Sequence, residues 1–294
     1  MSKTVKTWST PVQEINKESI PCILCGKDEF KLSLKCEGFF YSKCRHCSLV
    51  QMNPQPKEEE IKKRYSEKYG ENYLEYELAN EGSFLNLQLL ALKDAGFEQV
   101  EKELFDGEGP VQKPRFLDIG SATGTLLAYL KERGWDCTGV EISEPQAEYA
   151  RRVKKLDIKN LPLHENNFPP SHFDIVHASH LIEHLNDPSS FIREVSRILK
   201  VGGRLYITTP NIDGLQSKLF GGRWRSAIFD HLYLFSKRTL KRLLTKNGFA
   251  IEKVSTWGGL AAGIAPLPIK RIFDRAAKRL GFGDVMIIRA RRKD

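Results

Sequence analysis

Apolar and polar positions change their spacing along the chain, and each change marks a different kind of structure. Residues 1–16 are polar without periodicity and predict a loose arm. From Pro54 to Phe105, apolar and aromatic positions such as Ile61, Tyr65, Tyr69, Leu85, Leu89 and Leu92 recur near intervals of three and four among many Glu and Lys, which predicts a helical bridge over 54–112. The cluster Asp106-Gly-Glu-Gly-Pro110 breaks it. Beyond Arg115, short apolar runs alternate with amphipathic stretches. That alternation predicts an α/β domain over 113–294, doubly wound, with a mostly parallel sheet covered on both faces.

Individual elements of that half follow from the same spacing. Phe116–Ile119 is a strand, Gly120, Ala122 and Gly124 open a tight turn, Leu126–Arg133 is a helix stopped by Gly134, and a second strand closes at Glu141. Residues 172–179 form a buried strand. Asp187 caps a helix that starts on Pro188, lines one face with Phe191, Ile192, Val195, Ile198 and Leu199, and ends at Gly202-Gly203. The strand Arg204–Thr209 stops at Pro210-Asn211, and residues 211–235 then make a long excursion over the strand ends, a candidate substrate lid. Arg238–Asn247 is a further helix, and Ala250–Ser255 with Asp284–Arg292 is a closing antiparallel pair. In 266–282, Ile269, Ile272, Phe273, Ala276 and Leu280 share one helical stripe opposite Lys270, Arg271, Arg275, Lys278 and Arg279. Such a helix packs its stripe on its own domain or lies on an anionic membrane surface, where it would suit a lipid-linked or phosphate-bearing substrate.

Composition narrows the setting. An apolar content of 40% in 294 residues supplies one main core and a small satellite. The first residues lack an apolar signal core, and the stretch Gly258–Ile269 is broken by Pro266 and Pro268, so a cytoplasmic location is expected. The charge of +9 is a C-terminal property: Ser236 to the end carries 15 Lys and Arg against 4 Asp and Glu. A nucleic-acid partner would want a basic stripe across the whole binding face, so it is disfavoured. Two CxxC pairs, Cys22/Cys25 and Cys44/Cys47, have the spacing of two knuckles converging on one tetrahedral, structural zinc ion, which predicts a ribbon over 17–53. Cys36 and His46 are left over because the pairs already fill the shell.

The glycine turn carries the first chemical signal. A strand, a glycine turn and a helix N-terminus let backbone amides approach a nucleoside-bearing ligand, and an acid about 20 residues on accepts from ribose hydroxyls. This predicts an adenosine-type cofactor. With GVEIS, FDIVHASHLIEHLNDP and LKVGGRLYITTPN following LDIGSATG in order, the chain resembles the class I S-adenosylmethionine-dependent methyltransferases over roughly 114–255, closest to the group of the ubiquinone-biosynthesis O-methyltransferases. The resemblance implies a seven-stranded Rossmann-like sheet and a set of cofactor contacts. Asp118 would hold the methionine amino group, the backbone at Gly120, Ser121 and Gly124 would pass close to the cofactor, Glu141 with Ile142 beside it would take the ribose, Leu163 would meet adenine, and Ala178 would offer its carbonyl. Ala122 departs from the usual middle glycine at the expected cost of a methyl group.

For the acceptor end, His180, Glu183 and His184 lie in HLIEH at the end of the fourth strand, and His231 closes the lid excursion. We expect His180 or His231 to act as general base; the alternative is that Glu183 and His184 only cap the loop. Relatives read ExxEH there in association with a divalent metal, so His180/Glu183/His184 is a weaker candidate metal site. The inverted zinc-peptidase spelling HxxEH is rejected, because here it follows a strand rather than sitting inside a long helix. A ribbon ahead of such a domain resembles two groups: enzymes of ribosomal RNA, and sugar or polysaccharide tailoring enzymes whose ribbon is followed by LVxxNPxP, here Leu49 to Pro56. The second is the better match. The expected activity is methyl transfer to a small molecule or glycan, at oxygen; the alternatives are an rRNA or tRNA methyltransferase and a cofactor-binding module without chemistry.

Overall fold

The computed structural model of the chain describes residues 15–57, 59–61, 71–106, 112–259 and 266–294. Most of the expected arm, and Tyr65 and Tyr69 of the expected bridge, lie outside them.

The N-terminal ribbon contains β1 (Lys17–Glu18), β2 (Phe30–Lys35), β3 (Phe40–Cys44), β4 (Val50–Met52) and β5 (Gln55–Pro56). The bridge is α1 (Glu71–Asp94) and α2 (Phe97–Phe105). The remainder alternates as expected: β6 (Arg115–Ile119), α3 (Thr125–Glu132), β7 (Asp136–Val140), α4 (Glu144–Arg152), β8 (Asp157–Lys159), β9 (Phe173–Ser179), α5 (Pro188–Ile198) and β10 (Leu199–Pro210). Then come α6 (Leu215–Phe220), β11 (Tyr233–Leu234), α7 (Lys237–Lys246), β12 (Phe249–Trp257), α8 (Leu267–Leu280) and β13 (Val285–Arg292).

Seven strands form the main sheet in the order β12-β13-β10-β9-β6-β7-β8. Only β13 runs antiparallel to its neighbours, so the closing pair stands as expected. This is the mostly parallel, Rossmann-like sheet. Side chains alternate between its two faces with the period of two that a strand imposes. Phe116, Ile175, Tyr206 and Ile287 pack toward α2, α3 and α4, whereas Leu117, Val176, Leu205 and Ile288 pack toward α5 and α7. Strand order reverses between β6 and β9, and their carboxyl ends are level: Ile119 pairs with Val140 on one side and with Ala178 on the other. Gly120, Glu141 and His180 therefore emerge at one edge, where open parallel sheets bind ligands.

Caps fall where the sequence puts them. The Asp187 carboxylate accepts the Ser190 amide at 2.9 Å, with Pro188 opening α5. Ser236 and Thr239 form a reciprocal cap at the start of α7. Two boundaries differ: the helical pattern expected from Pro54 first yields to β5, whose Gln55 and Pro56 pair antiparallel with β1, and the second lies at Arg204. The strand expected at Arg204 begins at Leu199, and the Gly202-Gly203 pair sits inside it as an irregularity in pairing with β9 rather than as a helix stop.

The ribbon is not an independent module. β11, from the end of the 211–235 excursion, pairs antiparallel with β4, giving a four-stranded sheet β11-β4-β3-β2. Cys22, Leu24, Cys44, Cys47 and Leu49 pack into the same apolar cluster as Leu232, Phe235, Leu240 and Leu243. The excursion is also tied to the main sheet, because the fully buried Asp284 carboxylate accepts from Trp224 Nε1 at 2.5 Å and from Arg225 at 2.6 Å.

Helix α8 forms over the expected residues but does not bury its stripe. Ala277 is buried, while Ile269, Ile272, Phe273 and Leu280 stay exposed. Among the described residues no helix is long and apolar enough to cross a membrane.

Candidate active site

The turn after β6 is built around two absent side chains. Gly124 has φ +73°, and a Cβ there would lie 2.5 Å from Leu156 Cδ1. A Cβ on Gly139 of β7 would lie 2.7 Å from Ser121 Oγ, so the Ser121 hydroxyl is directed beneath the turn. That hydroxyl is buried with no hydrogen-bond partner among the described residues. Only the backbone of Ser121 is left to face a ligand. Gly120 and Ser121 both donate to the Val140 carbonyl, at 2.8 and 3.1 Å, which pins the turn to the end of β7.

Ala122 takes φ +48°, in the left-handed region. The expectation that it costs only a methyl group is therefore incomplete, since a Cβ in this region adds about 1 to 2 kcal/mol of strain. Its amide donates to Glu141 Oε2 at 2.9 Å, and the Ser143 amide donates to Oε1 at 2.8 Å. The carboxylate is thus oriented from two sides, with an acceptor site on each oxygen to spare. Burial and the neighbouring Asp118 push Glu141 above the usual carboxylate range, opposed by these amides. Such an acid gains from ligand donors. The residues present fit a ribose at this position.

Asp118 is buried, and its Oδ1 lies 2.7 Å from Nδ1 of the equally buried His177, its partner in register across β6 and β9. Its resemblance-based role thus has to be shared with an imidazole that the sequence did not implicate. Ile142 is exposed beside Glu141, Leu163 and Ala178 are buried, and Asn160 Nδ2 donates to the Glu141 carbonyl at 2.7 Å.

Helix α1 contributes residues that sequence reasoning missed. Tyr73, Glu77 and Glu81 recur at intervals of four and face the cofactor end. Glu81 bonds the Thr123 hydroxyl at 3.3 Å and also engages Thr125 and Lys154, clamping α1 to the glycine turn. Glu77 is buried; desolvation and the charge of Glu141 raise it to about 7. Burial and Glu77 push the Tyr73 phenol up to about 12. A polar stripe at helical spacing inside an otherwise mixed helix was the available signal.

At the acceptor end, His180 follows β9 with φ +52°, strain of the kind that accumulates at functional sites. Its amide donates to the Thr208 carbonyl at 2.9 Å, and its half-exposed ring places Nδ1 3.2 Å from Glu183 Oε1. Glu183 is fully buried, and its Oε2 accepts from Thr209 at 2.9 Å. Burial would raise this acid, but the His180 hydrogen bond and the imidazoles of His180, His184 and His231 prevail and bring it down to about 2. An ionised carboxylate only accepts. His180 Nδ1 must therefore be the donor, which leaves Nε2 as the basic nitrogen.

His184 and His231 stand edge-on with centroids 4.7 Å apart. Their Nδ1 atoms donate to the carbonyls of Asp230 (2.9 Å) and Ser226 (2.8 Å), which makes each Nε2 an acceptor. Burial and His184 hold His231 down to about 4, so it is neutral. Glu183, His184 and His231 each offer a ligand atom within 4.8 Å of the others. The grouping that fits a cation is therefore Glu183/His184/His231, with His180 on the outer side of the carboxylate. Carbonyl partners that fix the ring tautomers are what metal-ligating histidines require.

His231 owes its position to the ribbon. The Tyr41 hydroxyl lies 2.7 Å from the carbonyls of both Ile228 and His231, Met52 donates to the Leu232 carbonyl at 2.8 Å, and Leu232 donates to the Glu183 carbonyl at 2.7 Å. In the ribbon, Cys22 and Cys47 sulfurs are 3.3 Å apart and Cys25 and Cys44 sulfurs 3.6 Å apart, and all four fall within 4.8 Å. A tetrahedron with Zn–S near 2.3 Å has edges of about 3.8 Å. The cluster fits one zinc ion.

A family model described as a methyltransferase domain matches residues 73–254. The ubiquinone biosynthesis O-methyltransferase of Bordetella avium is 29% identical over 109 residues, which cover 35% of this chain and 45% of that protein. The enzyme of the same description from Dechloromonas aromatica is 31% identical over 103 residues, 33% of this chain and 44% of that protein. The chain thus spans less than half the length of these curated relatives. A crystal structure of a SAM-dependent methyltransferase from Thermotoga maritima superimposes with a TM-score of 0.48 at 24% identity, covering 72% of this chain and 97% of that one.

Proposed function

The chain belongs to the methyltransferase-domain family, the S-adenosylmethionine-dependent methyltransferases, and from that membership we propose that it methylates a hydroxyl oxygen on a small molecule or glycan. The observation that carries this reading is the His180–Glu183 pair at the end of β9. Bound S-adenosylmethionine supplies an electrophilic methyl carbon on a sulfonium. Glu141 and the backbone of Gly120–Gly124 hold its nucleoside end, and Asp118, through its oxygen not engaged by His177, serves the methionine end.

Glu183 keeps His180 in the tautomer whose Nε2 is a base and stabilises the imidazolium once it forms. His180 Nε2 would take the proton of the acceptor hydroxyl, and the cofactor would give up its methyl group to that oxygen with the C–S bonding pair staying on sulfur. Positioning supplies much of the rate in such an in-line transfer, and the strained backbone at His180 fixes where the base stands. Glu183, His184 and His231 would hold a divalent cation that draws an acceptor oxygen into the site. The four thiolates of the ribbon would hold zinc with no open position, and so would act structurally.

The test is methyl transfer to a panel of hydroxylated sugars, sugar nucleotides and phenols, followed by S-adenosylhomocysteine release. Wild type should turn over at least one class, and His180→Ala should lower kcat by about 10²- to 10⁴-fold with cofactor affinity unchanged. Tight cofactor binding without transfer to any hydroxyl would favour the non-catalytic module. Transfer to RNA alone would favour the nucleic-acid reading.

A further inference from the structure

The exposed face of α8 carries two parallel rows. Arg271, Arg275 and Arg279 recur at intervals of four, and Ile272, Ala276 and Leu280 recur in the same way one position on, which places the rows side by side along the helix. Ile269 and Phe273 widen the apolar row on its other flank. Ile272 is 64% and Leu280 70% exposed, unusual for large aliphatic side chains. The face beyond that flank is the docked one: Ala277 is buried, its carbonyl accepts from Thr256 at 2.8 Å, and Asp274 accepts the Gly259 amide at 2.8 Å.

Charge on this helix is as asymmetric as its burial. Lys270 is neutralised by Asp274 at 2.5 Å, and Lys278 by Asp94. No carboxylate among the described residues pairs with Arg271, Arg275 or Arg279. The unpaired cations thus border the open apolar row on its solvent side. A helix laid on a bilayer needs this order: side chains below the phosphate level, guanidinium groups at it, and the rest of the protein above.

The C-terminal end of α8 abuts the 211–235 excursion, which carries His231, and the start of α7. The Leu215 amide donates to the Phe282 carbonyl at 3.0 Å, Lys237 Nζ donates to the Gly281 carbonyl at 2.6 Å, and Leu219 and Phe220 of α6 are exposed as well.

We propose that α8 is a docking surface for an anionic phospholipid bilayer, holding the chain on the membrane with the 211–235 excursion near the interface. This goes beyond the proposed activity and does not depend on it, since it concerns where the protein sits rather than what it methylates.

Co-sedimentation of the full chain with phosphatidylcholine vesicles, with and without phosphatidylglycerol, tests it. The chain should pellet with the anionic vesicles only. Combined Arg271→Glu, Arg275→Glu and Arg279→Glu should weaken that partition by about a hundredfold or more, and Ile272→Asp with Leu280→Asp by at least about tenfold. Cofactor titration of the same samples reports that the fold is intact, and Leu280→Asp alone, at the exposed helix end, serves if the double variant fails that control. Absence of binding to anionic vesicles would overturn the proposal. So would binding to anionic vesicles that is unchanged in both the arginine and the Ile272/Leu280 variants, which would place the contact elsewhere on the chain.

Discussion

The two ends of the candidate active site are assembled in opposite ways. The cofactor end takes its turn, its acid and the amides that orient that acid from one continuous stretch, 116–143, onto which α1 is clamped and to which His177 adds one partner; Glu141 is fixed by Ala122 and Ser143. The acceptor end is made from three separated pieces. His180, Glu183 and His184 come from the end of β9, His231 from the excursion, and the position of His231 from Tyr41 and Met52 in the ribbon. A local site tolerates distant damage, whereas an assembled one inherits the stability of every piece.

Removing zinc should separate the two ends most sharply. Structural zinc sites contribute on the order of 10 kcal/mol, so stripping the ion with a strong chelator should abolish methyl transfer and lower the melting temperature. Cofactor affinity measured by calorimetry should fall far less. Transfer that persists in zinc-free protein, verified by metal analysis, would remove the ribbon from the acceptor end.

A change confined to the other end should give the mirror image. Glu141→Ala deletes charged acceptors worth about 1.5 to 3 kcal/mol for each hydroxyl bound, and should weaken cofactor binding by about a hundredfold at unchanged zinc content. Unchanged affinity would mean that the ribose is held elsewhere.

Glu77 offers a subtler probe, through pH. Its carboxyl is held protonated in the fold up to about pH 7, while an unfolded Glu releases its proton near about pH 4.3. A carboxyl raised in this way contributes stability that is complete below the unfolded value and is lost as pH rises through the folded one. Thermal melts of the cofactor-free protein should therefore show a destabilising slope across that window, at most about 1.4 kcal/mol per pH unit from this group. Glu77→Gln should remove that slope. Identical slopes in the two proteins would place Glu77 in an ordinary solvated setting.

The smallest expected effect is at Ala122. Replacing it with Gly relieves left-handed strain of about 1 to 2 kcal/mol and adds about 0.5 to 1 kcal/mol of chain entropy cost. The melting temperature should rise by a degree or two, and a fall would show that the methyl group is packed rather than merely tolerated.

What the chain revealed in advance follows the same division. β6, α3 and β7 were legible because a strand's period, a helix's period and the glycines that join them are all local signals. The cap at Asp187 and the closing pair β12–β13 were legible for the same reason. His231 as a partner of His184 was not, because a segment about 190 residues away fixes its carbonyl through Tyr41. The pairing of His177 with Asp118 depends on β9 lying beside β6, which spacing alone does not specify. The stripe on α8 was visible as a stripe, but periodicity is identical for a helix that faces inward and one that faces outward. Glu77 was hidden in a helix whose charges looked solvated, and only the packing of α1 over the glycine turn sets it apart.

The pairing of β11 with β4 bears on how such a chain can be inherited or engineered. A recombination that exchanged residues 17–56 alone would discard the strand that β11 leans on, exposing an unpaired edge and releasing the histidine beside it. The ribbon and the 226–235 segment form one heritable unit split across the gene, so a graft has to carry both pieces or neither.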